Sequence, residues 1–423
     1  MLRTGYTDHS EMPRSLRTIR EDSVGNRRSA ILSQNRSLRS SGRSFASNSD
    51  ALAWSRRQFL RTAIGAAAAG PLNGFSPLRA MQVQHGQKTV VVTFGGGARD
   101  EETFAPEGQE NIPRMLTELI PQGTFFAQVV NRGILGHYVA TASLATGAYE
   151  TLNNFARVAP ANPTVFEYFR KDLKRPANDA WVVAPSNGFN RIGSSEHRGF
   201  GPDLGAQVLL PKRLLAATLG RTASLDMEHL LHDNYESPLV TSTLDGPEID
   251  VQSAANLLNL SLVDFTAHAR SLESPDELSV YIARQLMQEL APSLLWITLH
   301  DIDIAHSGAY SLYIDGIRRS DRLCAEIWNA IEKNPEYKGR TTMFILPDFG
   351  RDSDFSSGGN GFQHHRTGDA LSRTTWMLVL GPGVRENTII DRAVDSCDLV
   401  PTLGKMLGFS PTFSTGKPLL EVL

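Results

Sequence analysis

The chain has 423 residues and a formal net charge of −3, with 41% hydrophobic and 21% charged residues, which are ordinary values for a globular protein. They exclude collagen-like sequence, global disorder and a polytopic membrane architecture. The charge is uneven, because residues 1–80 contain 13 arginines, no lysine and five acidic residues. The remaining chain carries 40 acidic against 29 basic residues, which argues against nucleic acid as a partner.

The first 80 residues have the pattern of a targeting segment. Residues 1–54 are rich in Ser and Arg and lack apolar periodicity, which is typical of a disordered N-terminal extension. Residues 55–80 contain Arg56-Arg57, then Phe59-Leu60 and a short Ala-rich run. This resembles a twin-arginine signal peptide, so we expect recognition by the twin-arginine export machinery and a periplasmic or extracellular location. The run is too short for a transmembrane span, although an uncleaved signal could act as an anchor.

The rest of the chain alternates predicted strands with predicted helices, which favours an α/β fold with a parallel-dominated sheet sandwiched between helices. Continuous apolar runs predict strands at 88–94, 124–130, 180–184, 294–299, 342–346 and 376–380. Helical periodicity predicts helices at 112–120, 136–146, 163–173, 310–333 and 399–407. Residues 187–290 have few strand signals and several helical ones, and we interpret them as a helical insertion or cap.

Two cysteines, Cys324 and Cys397, are present. An exported protein could form a disulfide between them, but their spacing does not establish one. Cys324 lies on the apolar stripe of the helix predicted at 310–333, so a buried free thiol is at least as consistent with the sequence.

Carboxylates and imidazoles follow two predicted strands and a Gly-rich loop. Because functional groups gather beyond the carboxyl ends of the strands in open parallel sheets, we expect these side chains to lie close together. Asp and His suit zinc or a similar divalent ion. The candidate metal ligands are Asp301, Asp303, His306, Asp348, His364 and His365.

Three further segments carry a family resemblance. Residues 397–408 (CDLVPTLGKMLG) look like a D-I-A-P-T-L-L-x-L-L-G motif, and residues 416–420 look like the G-x-S-L-L that follows it. Residues 143–149 (SLATGAY) look like the A-L-L-T-G-R-Y helix behind a nucleophile. With the ligand order above, residues 88–423 resemble the alkaline phosphatase superfamily, the sulfatase-like metallohydrolases. The resemblance implies an alkaline-phosphatase-like domain that hydrolyses phosphate, phosphonate or sulfate esters with bound metal.

Three positions depart from the pattern of the superfamily. The loop that normally supplies the first Asp ligand reads Gly95-Gly96-Gly97, and Asp100 is the nearest carboxylate. The position of the nucleophile falls on His137, and Thr141 could serve only if the register shifts by a helical turn. The D-H-G motif reads with Phe349 in place of His, and Phe cannot bind a metal. These changes imply a single metal site, in which either Asp301 or Asp303 and either His364 or His365 join His306.

Other candidate catalytic side chains leave alternatives open. His137 could be a phosphohistidine-forming nucleophile or a packing residue. Arg99 and Arg351 could each bind an oxyanion bidentately or form a structural ion pair. The functional hypothesis is an exported metallohydrolase of a small-molecule ester. The alternative is a non-catalytic relative that keeps the fold and binds a metal or an anion in the cell envelope.

Overall fold

A mixed β-sheet forms the centre of the part of the chain that the computed structural model describes, which is residues 86–155, 158–219, 227–231 and 251–423. The N-terminal extension predicted at 1–54 and the signal peptide predicted at 55–80 lie outside the described residues. Within the described ranges, no helix combines the length and the apolarity that are needed to cross a bilayer.

The described residues form nine strands in the order β4-β3-β5-β1-β6-β7-β2-β8, with β9 also pairing with β2. The strands are β1 Lys88–Phe94, β2 Gly123–Val130, β3 Ala180–Val183, β4 Gln207–Leu209, β5 Leu294–Leu299, β6 Thr341–Pro347, β7 Thr374–Leu380, β8 Thr388–Ile390 and β9 Val394–Asp395. All pairings are parallel except those of β7 with β6 and β2. The predicted parallel-dominated α/β fold is therefore confirmed.

Helices cover both faces of this sheet. The α-helices of the described residues are α1 His137–Thr146, α2 Val165–Leu173, α3 Pro211–Leu219, α4 Glu228–Leu231, α5 Val251–Leu257, α6 Leu262–Ala269, α7 Pro275–Glu289, α8 Tyr310–Lys333, α9 Asp354–Ser357 and α10 Leu399–Leu407. Side chains of β1 alternate between two cores, with Val90 and Val92 in one cluster and Val91 in the other. Helices α7 and α8 contribute to the first cluster, and α1, α2 and α10 contribute to the second. This burial on both faces explains the continuous apolar runs of the strands.

The one reversed strand, β7, differs from the regular strand–helix alternation. The connection between β6 and β7, residues 348–373, contains the single-turn helix α9 and a 3₁₀ turn at Gly361–Gln363 instead of a long crossover helix. A connection of this kind can return the chain in the antiparallel direction, so both of its ends lie at the same edge of the sheet. As a result, the whole loop that carries Asp348, Arg351 and His365 stays at one edge.

Two further details of the chain path differ from the predicted elements. The helix predicted at 112–120 is present as a mixed helical segment with a π-helical turn at Met115–Leu119. Pro121 follows it and has no N–H to continue the helical hydrogen bonds. Strands β4, β8 and β9 are two or three residues long, which is too short for a periodicity signal.

Cys324 and Cys397 are buried free thiols.

Asp321 is a buried acidic residue on α8 that caps the N-terminal end of the helical segment at 113–119. Its carboxylate accepts the backbone N–H of Met115 at 2.6 Å and that of Arg114 at 3.0 Å. Burial raises the pKa of Asp321 to about 6, although these two hydrogen bonds oppose the increase. The folded chain therefore holds a proton at this carboxyl more tightly than the unfolded chain does.

We expect this carboxyl to give stability that is present below about pH 4 and is lost as the pH rises through about 6. Between pH 7 and pH 4, wild type should gain up to about 2 kcal/mol of unfolding free energy relative to Asp321→Asn. Urea unfolding of both proteins at several pH values measures this difference. Asp315→Asn, an exposed change on the same helix, should show no such trend. A wild-type-to-Asp321→Asn difference that does not vary with pH would contradict the prediction.

Candidate metal centre

The site lies at the edge of the sheet where three neighbouring strands end. Strands β5, β1 and β6 are parallel, and Phe94, the last residue of β1, pairs with Leu299 of β5 and Pro347 of β6. A 3₁₀ helix, Asp301–Ser307, follows β5, and the loop 348–373 follows β6. Helix α1 begins at the same edge with His137, after β2. The predicted gathering of polar side chains at strand ends thus brings together residues from three segments.

Four side chains converge at this edge and form a candidate metal group, which consists of His137, Asp303, His306 and His365. One ligand atom from each residue lies within 4.8 Å of all the others. Asp303 Oδ1 is 3.1 Å from His137 Nε2 and 3.2 Å from His306 Nε2. The Nε2 atoms of His306 and His365 are 2.8 Å apart. Three imidazole nitrogens and one carboxylate oxygen therefore point to one location.

Two of the imidazoles are held by partners at their other ring nitrogen. Asp348 Oδ2 accepts a hydrogen bond from His137 Nδ1 at 2.8 Å, and the backbone carbonyl of Leu135 accepts one from His365 Nδ1 at 3.1 Å. Asp348 is itself fixed, because its Oδ1 accepts the N–H of Gly96 at 2.9 Å. These bonds direct both Nε2 atoms toward the group. Metal-ligating histidines commonly have such partners in proteins.

The buried carboxylates determine the electrostatics of the group. Burial alone would lower the pKa of His137, but Asp303 and Asp348 outweigh it and raise that pKa to about 10. Burial alone would raise the pKa of Asp303, but His137, His306 and Arg351 hold it well below its usual value. Burial and the charge of His137 lower the pKa of His365 to about 2, so its imidazole is neutral. A positive charge next to the two carboxylates, whether a proton on His137 or a bound cation, therefore stabilises the site.

The donor set fits a divalent transition metal. Neutral imidazole nitrogens and a carboxylate oxygen are ligands that suit zinc and its neighbours. His137 and Asp303 are buried, whereas 39% of the His306 side chain is exposed and His365 is half-buried. Solvent and small solutes can therefore approach the group from the His306 side.

The structure distinguishes Asp303 from Asp301, and His365 from His364, by their positions relative to the metal group. Asp303 belongs to the group, whereas Asp301 bonds Arg319 at 2.9 Å and its backbone N–H bonds Asp276. His365 belongs to the group, whereas His364 lies outside it. Asp348, predicted as a ligand, contacts the group through His137.

The predicted catalytic side chains occupy different positions. Arg99 lies in an ion-pair cluster with Glu102 and Asp354 and is not a member of the metal group. Arg351 is fully buried and contacts Asp303 at 3.1 Å. Thr141 is buried one turn after His137 on α1, and none of the described contacts joins its hydroxyl to the group. His137, considered as a nucleophile from sequence, has its Nε2 among the ligand atoms.

Two further aromatic side chains, His300 and Phe349, lie next to His137 of the metal group. The ring of His300 packs edge-to-face against Phe189, with the ring centres 4.9 Å apart, and its centre lies 5.7 Å from that of the His137 ring. A side chain at Gly95 would come within 2.3 Å of the His300 ring, so His300 requires glycine there. The ring of Phe349 stacks on His137 at 5.0 Å. His300 is not among the site residues predicted from the sequence, and Phe349 is marked there only as a departure from the D-H-G motif.

No family model matches this chain, and no curated protein matches it. Several solved structures are similar to it. A phosphonate monoester hydrolase from Silicibacter pomeroyi is 12% identical with a TM-score of 0.49, over 79% of this chain and 76% of its own. Wild-type alkaline phosphatase PafA is 11% identical with a TM-score of 0.48, over 79% of this chain and 99% of its own.

A protein in the alkaline phosphatase superfamily from Vibrio parahaemolyticus is 13% identical, with a TM-score of 0.46, over 87% of this chain and 79% of its own. At such identities the likeness concerns the fold alone. PafA and the Vibrio parahaemolyticus protein carry the name of the family that the sequence motifs resemble.

Proposed function

We propose that this protein is an exported, metal-dependent hydrolase of small phosphate, phosphonate or sulfate esters that uses one divalent ion, with zinc as the expected metal. The observation that carries the proposal is the convergence of four ligand atoms from His137, Asp303, His306 and His365 within 4.8 Å. The motifs at 143–149 and 397–408 support the ester class through the resemblance, and Arg56-Arg57 supports export.

Hydrogen bonds within the chain orient two of the candidate ligands, His137 and His365. Asp348 fixes His137 in the tautomer with Nδ1–H, and the carbonyl of Leu135 does the same for His365. The ring of Phe349 covers one face of His137 and keeps water from that side. A divalent ion held by His137, Asp303, His306 and His365 would supply Lewis-acid chemistry for a phosphoryl or sulfuryl oxygen. An ester would approach past His306, the most exposed of the four side chains.

A second candidate function is a non-catalytic metal-binding module of the cell envelope. It is favoured by the nucleophile position, because the residue there, His137, is one of the four candidate ligands. In the described part of the chain, Thr141 is buried and both cysteines are buried, so none of these offers an accessible nucleophile. The two candidates share the metal site and differ in whether ester hydrolysis accompanies it.

The test is metal content followed by turnover. We expect full-length protein, purified without chelator, to hold about one equivalent of zinc or another divalent transition metal by elemental mass spectrometry, in keeping with a His/Asp donor set. The double variant Asp303→Ala, His306→Ala should hold none. Loaded protein is then assayed with p-nitrophenyl phosphate, p-nitrophenyl phenylphosphonate and p-nitrophenyl sulfate.

The outcomes separate the candidates. Metal-dependent turnover of any of the three esters supports the hydrolase. Stoichiometric metal with no turnover supports the binding module. Wild-type protein without stoichiometric metal would contradict both candidate functions.

A further inference from the structure

Arg351 is a fully buried charged residue beside the metal group. Its side chain has no exposed surface, and its guanidinium lies 5.6 Å from the centre of the Tyr313 ring. A buried guanidinium with this packing cannot meet a substrate, so a role in binding the oxyanion of an ester is excluded by position. Its contacts point instead to the segments that carry the ligands.

The guanidinium of Arg351 joins two separate ligand-bearing segments. Nη2 donates to Asp303 Oδ1 at 3.1 Å and to the carbonyl of Ile302 at 3.3 Å, both on the 3₁₀ helix that also carries His306. Nη1 donates to the carbonyl of Phe362 at 3.1 Å, three residues before His365. The planar fork therefore fixes the distance between the Asp303–His306 segment and the His365 segment.

Gly96 makes the position of this guanidinium possible. Its φ of +77° lies in the left-handed region, and a side chain there would come within 2.6 Å of Arg351 Nη2 and 3.2 Å of Asp303 Oδ1. The same residue donates its N–H to Asp348, which holds His137. The glycine thus leaves room for Arg351 next to the carboxylate ligand.

We propose that Arg351 is a positioning residue for the metal centre, which holds Asp303, His306 and His365 at the separation that one ion needs. This role rests on the proposed function, because it assumes that the group binds a metal. Two effects of Arg351 oppose each other: its charge repels a divalent cation, and its hydrogen bonds fix the ligands. The proposal states that the second effect dominates.

Arg351→Lys separates the two effects, since it keeps the charge and loses the fork. A single ammonium cannot bond Asp303, Ile302 and Phe362 together with the geometry of the guanidinium. We expect Arg351→Lys to lower zinc affinity about 10- to 100-fold, as for other partners of metal ligands. Affinity is measured by competition with a chromophoric chelator, and the Co²⁺ absorption spectrum reports the coordination geometry, which should also change. Arg318→Lys, a surface change at a side chain that pairs with Glu110, is the control and should bind as wild type does.

Each outcome decides the proposal. An Arg351→Lys protein with wild-type zinc affinity and an unchanged Co²⁺ spectrum overturns the positioning role while the proposed function stands. A wild-type protein that binds no ion overturns the proposed function and, with it, this role. If Arg351→Lys does not fold, Arg351→Gln replaces it, because its amide cannot bond both ligand-bearing segments and it also removes the repelling charge, so that positioning predicts a loss of zinc affinity and charge repulsion alone predicts a gain. A similar loss of affinity in that variant supports the role, and unchanged or increased affinity overturns it.

Discussion

Replacing His365 with alanine is expected to abolish stoichiometric metal binding, whereas replacing the adjacent His364 with alanine should leave it intact. His365 Nε2 is 2.8 Å from His306 Nε2, and the carbonyl of Leu135 orients its ring. His364 lies outside the metal group. If the roughly 10–16 kcal/mol available from structural zinc is shared equally among four ligands, losing one should weaken binding by about 70- to 900-fold. Chelator competition and elemental mass spectrometry measure both variants.

The two variants are matched in chemistry and in sequence position. Urea unfolding of the metal-free forms should show that both variants are folded under the conditions of the affinity measurement, although His365→Ala also loses the bond to Leu135 and a ring contact with Phe349. A difference in metal affinity between them then reports coordination rather than folding. Loss of the ion in His364→Ala with retention in His365→Ala would contradict the arrangement of the group.

The fold could be predicted from the sequence where the signal is long and local. The central strands, such as Lys88–Phe94 and Leu294–Leu299, are buried on both faces and give continuous apolar runs. The short edge strands and the direction of β7 depend on contacts between distant residues, and no local pattern encodes them. The sequence could therefore indicate the α/β class but not the complete order of the sheet.

The candidate site, like the fold, could be predicted only in part from the sequence. Asp303, His306 and His365 could be placed among the candidates because they follow strand ends. The choice of Asp303 over Asp301 depends on Arg319, which lies on α8 and neutralises Asp301. The position of His137 depends on where α1 begins relative to Asp348, the residue that follows β6. Such choices come from side chains that meet only after the sheet has formed.

Asp303 is the shared acceptor of the site, so Asp303→Ala should give the largest loss of stability. Its Oδ1 lies 3.1 Å from His137 Nε2, 3.2 Å from His306 Nε2 and 3.1 Å from Arg351 Nη2. Removing it leaves the guanidinium of Arg351 buried without its carboxylate. Breaking a buried pair by removing one partner destabilises proteins by about 3–5 kcal/mol. We expect a loss of that size in urea unfolding with excess chelator, which excludes any contribution from metal.

The source of that loss can be identified with a double-mutant cycle. If the unpaired guanidinium causes it, then Arg351→Met in the Asp303→Ala background should be less damaging than in wild type, with a coupling of about 1–3 kcal/mol. Asp315→Ala, at an exposed acidic residue of α8, serves as the surface control and should change the unfolding free energy by no more than about 0.5 kcal/mol. Additive losses in the cycle would show that Asp303 and Arg351 are energetically independent, and the stability of the site would then have to come from the bonds of Asp303 to His137 and His306.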